Sequence, residues 1–345
     1  MTEPFEVTEP YDEGMLAVGD GHSIHWSVAG NPDGKPAVLL HGGPGSGSSP
    51  SHRRMFDPTR YRIVQFDQRN CGRSTPYAGE PTVDLSANTT RHLIADIEQL
   101  RVALDIDQWM VWGGSWGSTL GLAYAQAHPE AVTELMLTAV CSTNSVDVAW
   151  TTRVMGRVLP RPWQAFRDHL PPDRRDANLA LAYNELVMNP DPEIHRPAAA
   201  AWCRWEDHHM SIAGEFRPGL VDADPSFQLC FARLVTHYWA NAAFMDDDQL
   251  LRNAHTLNGI PTFLAHGRLD ISSPLDFPVA VADAIAESRD DAVVEGAAAG
   301  GVAGPGGGGA AGSGGGVELL IADDGHGGSN MTQWAVSITN RLVAI

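Results

Sequence analysis

The sequence is poor in positive charge and has no long apolar run. Its 345 residues include 23 Lys and Arg against 42 Asp and Glu, a formal net charge of −19. Such a surface repels phosphate backbones and anionic membranes, so we expect no nucleic-acid partner and no membrane association. No stretch approaches the roughly 20 apolar residues that span a bilayer, and "MTEPFEVTEPYDEG" lacks the basic and apolar parts of a secretion signal. The sequence therefore predicts a soluble, cytoplasmic protein.

Cysteine is scarce as well. The four cysteines, Cys71, Cys141, Cys203 and Cys230, are far apart and form no CxxC pair. This spacing indicates neither a disulfide framework nor a zinc site. We therefore predict free, buried thiols and no metal.

Short apolar runs, typical of buried parallel strands, occur along much of the chain. They lie at residues 37–40, 62–66, 109–112, 134–140, 262–266 and 317–321. Between several of them the apolar residues recur every three or four positions, as in the helical pattern of residues 93–104. This alternation predicts an α/β fold, with a mostly parallel sheet and helices on both faces.

The middle of the chain breaks this alternation. Over residues 143–255 the strand patterns vanish, tryptophans gather and prolines separate helical segments. We predict a helical cap inserted into a core formed by residues 1–142 and 256–345, where it would cover the ligand crevice at the strand ends. Within that core, the Gly- and Ala-rich residues 296–316 predict a flexible surface loop.

A G-x-S-x-G pattern, "GGSWG", follows the apolar run at 109–112 and precedes a helical pattern. A tight turn from strand to helix needs glycines beside the serine, and it exposes the serine oxygen at a helix N-terminus. Ser115 is the candidate nucleophile. A chance glycine-rich turn is the alternative, but the flanking strand and helix are the context that the motif requires.

A serine hydroxyl needs a histidine base and an acid that orients it, in the chain order Ser, Asp or Glu, His. Asp270 follows the apolar run at 262–266, and His326 follows the run at 317–321. Both lie at predicted strand ends, so we predict that they complete a triad with Ser115. Other acids near these positions, Asp276, Asp323 and Asp324, are poorer candidates.

The oxyanion of a tetrahedral intermediate needs backbone donors. In this architecture one is the amide after the nucleophile, here Trp116, and the other comes from the loop after the third strand. That loop is "HGGPGSGSSP", and we predict Gly43 as the second donor. His41 at its start is expected to be a structural hydrogen-bonding residue rather than a base.

Several motifs together resemble one known family. "HGGPGSG", "FDQRNCGRS", "GGSWGSTLGLAYAQAHPE", "WCRWE", "DDQLLRN" and "HGRLD" are similar to segments of the proline iminopeptidases, the prolyl aminopeptidase group of the α/β-hydrolase superfamily. The resemblance implies the triad Ser115, Asp270 and His326 and the release of an N-terminal residue, typically proline. It implies no metal or organic cofactor, and a small peptide or aminoacyl substrate with a free N-terminus.

The resemblance also gives a role to "WCRWE". The family binds the substrate amine with the glutamate of this motif, which matches Glu206. A carboxylate can hold a charged amine by a charge-assisted hydrogen bond, and Trp202 and Trp205 would line a pocket for an apolar ring. Without the resemblance, the two tryptophans would be interpreted as the core face of a helix.

One departure from the family pattern affects specificity. The family carries a second glutamate on a later cap helix, and the matching residue here is Val235. An esterase or amidase acting on aminoacyl small molecules is therefore an alternative to an aminopeptidase. A non-catalytic binding protein on the same scaffold is a third hypothesis, against which the complete set of nucleophile, acid and base argues.

Overall fold

The structure is a computed structural model that describes residues 3–211, 219–289, 293–297 and 316–343. Its strands are, in chain order, β1 Pro10–Gly19, β2 His22–Gly30, β3 Lys35–Leu40, β4 Tyr61–Phe66, β5 Trp109–Gly114, β6 Val132–Thr138, β7 Thr262–Gly267, β8 Val294–Ala297 and β9 Val317–Ala322. They form one sheet in the order β1-β2-β4-β3-β5-β6-β7-β9-β8. β1 and β2 pair antiparallel, as do β2 and β4, and every other pairing is parallel.

The helices are α1 Thr90–Ala103, α2 Trp116–Ala127, α3 Ser145–Thr152, α4 Pro160–His169, α5 Leu179–Val187, α6 Pro192–Met210, α7 Pro225–Ala240, α8 Gln249–Arg252, α9 Asp276–Glu287 and α10 Ser329–Leu342. In the described part of the chain, no helix has both the length and the apolar character needed to cross a bilayer.

Apolar side chains cover both faces of the sheet. On one face, residues from β3, β4 and β5 join side chains of α1, α2 and α9 in the largest buried cluster. On the other face, alternate residues of the same strands pack with α10. Because a parallel strand is buried on both sides, its sequence is a continuous apolar run, which explains the runs found in the sequence.

Helices α3–α8 lie between β6 and β7 in the chain, within the segment that the sequence analysis assigns to a cap. The two long cap helices begin alike, since Asp191 and Asp224 each accept a hydrogen bond from the amide two residues on, over 2.9 and 2.8 Å. A proline follows each aspartate at the first helical position. Proline suits this position because it has no amide proton, and an amide there would have no partner within the helix. α6 and α7 then pack together with α5 around their own apolar cluster.

The end of the insertion packs differently from the rest. The side chains of Ala243, Leu250 and Ala254 belong to the cluster beneath the sheet, whereas the cap cluster extends from Val148 to Val235. The predicted cap, which ends at residue 255, therefore includes a final segment that packs with the core.

Of the predicted loop 296–316, Gly296 and Ala297 end strand β8, Gly316 precedes β9, and residues 298–315 lie outside the described residues.

Candidate active site

The turn between β5 and α2 places Ser115 at the carboxyl edge of the sheet. β5 ends at Gly114 and α2 begins at Trp116, so Ser115 alone makes the turn, with φ 55° and ψ −127°. A side chain rarely adopts positive φ, and such strain is held only where the surroundings require it. A Cβ on Gly113 would overlap the carbonyl oxygen of Gly117, and one on Gly117 would overlap that of Leu40. The glycines of the motif are therefore required by close backbone packing.

Ser115, His326 and Asp270 lie in one hydrogen-bonded chain. His326 Nε2 is 2.9 Å from Ser115 Oγ, and His326 Nδ1 is 2.9 Å from Asp270 Oδ2. Ser115 follows β5, His326 follows β9 and Asp270 follows β7, and these strands lie close together in the sheet. The second oxygen of Asp270 accepts hydrogen bonds from the amides of Ser272 and Ser273 over 2.9 and 3.2 Å. The structure therefore brings together all three residues of the predicted triad.

The electrostatics of the triad favour an ionised Asp270 beside a basic His326. Burial raises the pKa of Asp270, but His326, His266 and the amide of Ser273 outweigh it and hold the pKa below the usual value. Burial lowers the pKa of His326, but the charge and hydrogen bond of Asp270, together with the charge of Glu206, raise it above the usual value. Asp270 thus remains a carboxylate that stabilises a protonated His326.

The loop after β3 lies against the serine. The amide of Gln68 donates to His41 Nε2 over 3.0 Å, so the other ring nitrogen carries the proton and donates to the carbonyl of Gly42 over 2.9 Å. Burial lowers the pKa of His41, which keeps the ring neutral. The side chain of Gln68 joins the carbonyl of His41 to the indole of Trp116, over 2.9 Å in each case. His41 is therefore a structural hydrogen-bonding residue, as expected from the sequence.

A cavity of about 720 Å³ opens over Ser115. Ser115, His326, Gly43 and Trp116 are on its sheet side. Trp116 is the first residue of α2, so its amide has no acceptor within the helix. On the cap side, α6 contributes Glu206, and α7 contributes two aromatic rings. The cavity thus combines a nucleophile, backbone donors and a buried carboxylate.

Two side chains of its own helix lie against the carboxylate of Glu206. Its Oε1 accepts a hydrogen bond from Trp202 Nε1 over 3.0 Å, and its Oε2 is 3.1 Å from His209 Nε2. The glutamate is 4% exposed, and its charge acts on His326. The carboxylate therefore lines the same cavity as the reactive histidine, near enough for its charge to act on that histidine.

Comparisons with known proteins show which sequences this chain resembles. A family model described as alpha/beta hydrolase fold matches residues 35–193. A probable proline iminopeptidase of Streptomyces coelicolor is 52% identical over 273 residues, which cover 77% of this chain and 83% of the relative. A proline iminopeptidase of Arabidopsis thaliana is 43% identical over 273 residues, 77% of this chain and 70% of the relative.

The chain belongs to the proline iminopeptidase family.

Solved structures place this family member on the α/β-hydrolase fold. The crystal structure of a proline iminopeptidase from Mycobacterium smegmatis aligns over 96% of this chain and 97% of that one, with a TM-score of 0.53 and 18% identity. An alpha/beta fold family hydrolase from Bacillus anthracis aligns over 97% and 99%, with a TM-score of 0.57 and 16% identity. At these identities the likeness shows the fold, which is the fold predicted from the sequence.

Trp202 and Trp205 do not line the cavity in this family member. Both rings are buried in the cap cluster, where Trp202 meets the rings of Phe166 and Tyr183 edge to face. The tryptophan face of α6 packs against rings of α4, α5 and α7. The prediction of direct substrate contact is therefore corrected: the rings are core residues, and Trp202 acts on the site through its hydrogen bond to Glu206.

The aromatic wall of the cavity comes from α7 instead. Phe231 and Trp239 line the cavity, and Val235 lies midway between them on the same helix face but is fully buried. The apolar residue at the position of the family's second glutamate thus belongs to the cap cluster.

A second acid on α6, Asp207, lines the cavity, but backbone amides already donate hydrogen bonds to its carboxylate. Its two oxygens accept hydrogen bonds from the amides of Gly219, Leu220 and Val221, over 3.2, 3.0 and 2.8 Å. Asp207 therefore anchors the segment before α7, whereas the charge of Glu206 acts on His326.

Sequence reasoning missed His209 and Ser272. His209 Nδ1 lies 2.8 Å from Ser272 Oγ, which joins the end of α6 to the loop that carries Asp270. A sequence signal was present for His209, because its spacing of three residues from Glu206 places both on the same helix face.

Among the described residues, no group of three His, Cys, Asp or Glu side chains is arranged to hold a metal ion.

Proposed function

We propose that this protein is a serine aminopeptidase that releases an N-terminal residue, proline in particular, from small peptides through an acyl-enzyme. One observation carries the proposal: Ser115 and His326, which are joined to Asp270 by hydrogen bonds, line the same cavity as the buried carboxylate of Glu206. The names of the proline iminopeptidase relatives support the same substrate class.

In acylation, Ser115 Oγ attacks the scissile carbonyl carbon while its proton passes to His326 Nε2. Asp270 accepts a hydrogen bond from Nδ1, holds the ring in this tautomer and stabilises the imidazolium. The C–N bond then breaks, the imidazolium gives its proton to the leaving amine, and the acyl group remains on Ser115.

The tetrahedral intermediate carries a negative oxygen, for which we assign the amides of Gly43 and Trp116 as donors. Both residues border the cavity beside Ser115. Preorganised amides of this kind stabilise charge that develops in the transition state without having to reorient.

Glu206 is assigned as the anchor of the substrate amine. In a peptide the free amine is two bonds from the first carbonyl carbon, so an anchor facing the serine admits one residue and no more. A charge-assisted hydrogen bond in a desolvated cavity is strong, and it excludes substrates whose amine is blocked. The aromatic rings of Phe231 and Trp239 offer an apolar wall to a proline ring.

Deacylation repeats the proton transfers with water. His326 takes a proton from a water molecule that attacks the acyl carbon, and it returns that proton to Ser115 Oγ as the ester bond breaks. The products are the free N-terminal residue and the restored serine.

The test is a panel of p-nitroanilides and p-nitrophenyl esters of proline and alanine, each with a free and an acetylated amine. We expect turnover of the free-amine anilides and loss of activity in Ser115→Ala. Equal turnover of free and acetylated substrates would instead support an esterase or amidase, and no turnover would support a binding protein.

The proposal includes a cytoplasmic location. It is supported by the cysteines, since all four are free and buried. Free thiols of this kind are typical of reducing compartments.

A further inference from the structure

His209 lines the cavity beside the proposed amine anchor, and one of its ring nitrogens, Nε2, lies next to Glu206. Its side chain is 3% exposed and borders the cavity. The ring packs edge to face on Trp205, with centroids 5.5 Å apart, so its orientation is restricted.

The contacts of Ser272 determine where the proton of this ring lies. Its hydroxyl donates to the backbone carbonyl of His209 over 3.2 Å, so its single proton is used there. With the hydroxyl proton directed at that carbonyl, we assign Nδ1 as the donor in the 2.8 Å contact between His209 Nδ1 and Ser272 Oγ. In the neutral ring, Nε2 is therefore an acceptor.

This acceptor has no hydrogen-bond partner among the described residues, although Glu206 Oε2 is only 3.1 Å away. Two acceptors so close in a buried place repel each other unless a donor lies between them. A cationic amine with two N–H groups fits this arrangement, because it can donate one hydrogen to each.

We propose that His209 Nε2 is the second acceptor for the substrate amine and makes the site selective for secondary amines, an inference that rests on the aminopeptidase function proposed above. An N-terminal proline carries two N–H groups when protonated, and Glu206 and His209 satisfy both. A primary ammonium has a third N–H, which is left unpaired in the desolvated cavity. This arrangement supplies proline selectivity in a chain that has Val235 where the family has a second glutamate.

The experiment compares the p-nitroanilides of proline, N-methylalanine and alanine. N-methylalanine is a secondary amine without a ring, so it separates the count of N–H groups from the shape of proline. We expect kcat/KM for both secondary amines to exceed that for alanine by roughly tenfold, the effect of one unpaired donor on a charged group.

Two variants test the residue itself. His209→Phe keeps a ring against Trp205 but removes the acceptor, and Ser272→Ala keeps the imidazole but removes the contact that orients its proton. Both should lower the ratio of secondary to primary amine kcat/KM toward one. His208→Gln, one position earlier with its ring on the carbonyl of Arg204, is the control and should leave the ratio unchanged.

The outcomes separate this inference from the function on which it rests. If N-methylalanine is cleaved no faster than alanine, or if His209→Phe preserves the ratio, His209 is not an amine acceptor even though the aminopeptidase stands. If His209→Phe raises kcat/KM for every amine equally, the histidine is a cation that pairs with Glu206, and the inference is also overturned. Absence of any Ser115-dependent anilide turnover rejects both proposals.

Discussion

The indole of Trp202 donates a hydrogen bond over 3.0 Å to Oε1 of Glu206, which lies one turn later on the same helix. A residue of the cap core thereby fixes the direction of a carboxylate in the cavity. The proposed amine anchor is therefore preorganised before substrate binds, which reduces the entropy that binding must overcome.

Loss of this donor should weaken the binding of free-amine substrates. In Trp202→Phe the ring volume is largely kept, but the carboxylate loses its partner, and we expect KM for proline p-nitroanilide to rise about three- to tenfold. Trp205→Phe is the matched control, since its indole nitrogen has no hydrogen-bond partner among the described residues. Equal KM values for the two variants would show that the hydrogen bond does not orient Glu206.

Removal of the charge of Glu206 should change both affinity and pH dependence. Glu206→Gln loses a charge-assisted hydrogen bond, and we expect kcat/KM for free-amine substrates to fall about 10- to 100-fold. The base must be neutral, so kcat/KM rises with pH through the pKa of His326. Because the charge of Glu206 raises that pKa, the acidic limb of the profile should move to lower pH in the variant.

A control for the pH effect is Asp323→Asn. It also removes one negative charge, three residues from His326 in the chain, but Asp323 is 40% exposed and pairs with Arg268. Its acidic limb should coincide with that of the unchanged protein. A common shift in both variants would assign the effect to net charge rather than to Glu206.

The close contact at the serine turn predicts a large loss of stability on a small substitution. In Gly117→Ala the new methyl group meets the backbone of Leu40, which cannot move aside as a side chain can. We expect the free energy of unfolding to fall by about 3 kcal/mol or more, measured by denaturant titration. In the control Gly121→Ala, on the same helix, the nearest atom is a terminal methyl of Leu137 at 3.0 Å, so the loss should be smaller.

A carboxylate at position 235 should improve proline hydrolysis and lower stability. The gain would come from its negative charge near the cationic amine, since Glu206 and His209 are proposed to accept both N–H groups. Val235→Glu places the acid on the helix face between Phe231 and Trp239, near the cavity, but at a fully buried position. We expect a higher kcat/KM for proline p-nitroanilide than in Val235→Gln, which has the same shape without the charge, and a lower unfolding midpoint in both variants. Identical kcat/KM values in the two variants would show that the missing carboxylate does not limit the reaction.

The elements that the sequence predicted best are those with a local physical cause. The parallel strands are buried on both faces and so appear as apolar runs, and the serine turn needs glycines at fixed spacing. The two strands before β3 were implied by its place in the architecture but were not located, because β1 and β2 pair antiparallel at the edge of the sheet and β1 is largely exposed, with a polar sequence. β8, only four residues long, has no apolar run to mark it.

In the site, the proximity of the triad residues was predicted correctly from the sequence, whereas the roles of the tryptophans on α6 were not. Ser115, Asp270 and His326 follow strands, so their meeting follows from the order of the strands. The direction of α6 depends on how it packs against α5 and α7, which no local pattern specifies, and so the roles of its tryptophans were misjudged. The contact between His209 and Ser272 joins residues 63 positions apart and could be found only from the structure.

The separation of Ser115 from His326 by 211 positions has a consequence for synthesis of the protein. The hydrolytic machinery cannot assemble while the chain emerges from the ribosome, because β9 must insert between β7 and β8 before the histidine can reach the serine. The nascent chain therefore carries an unactivated serine, and proteolytic activity begins only when this late strand docks.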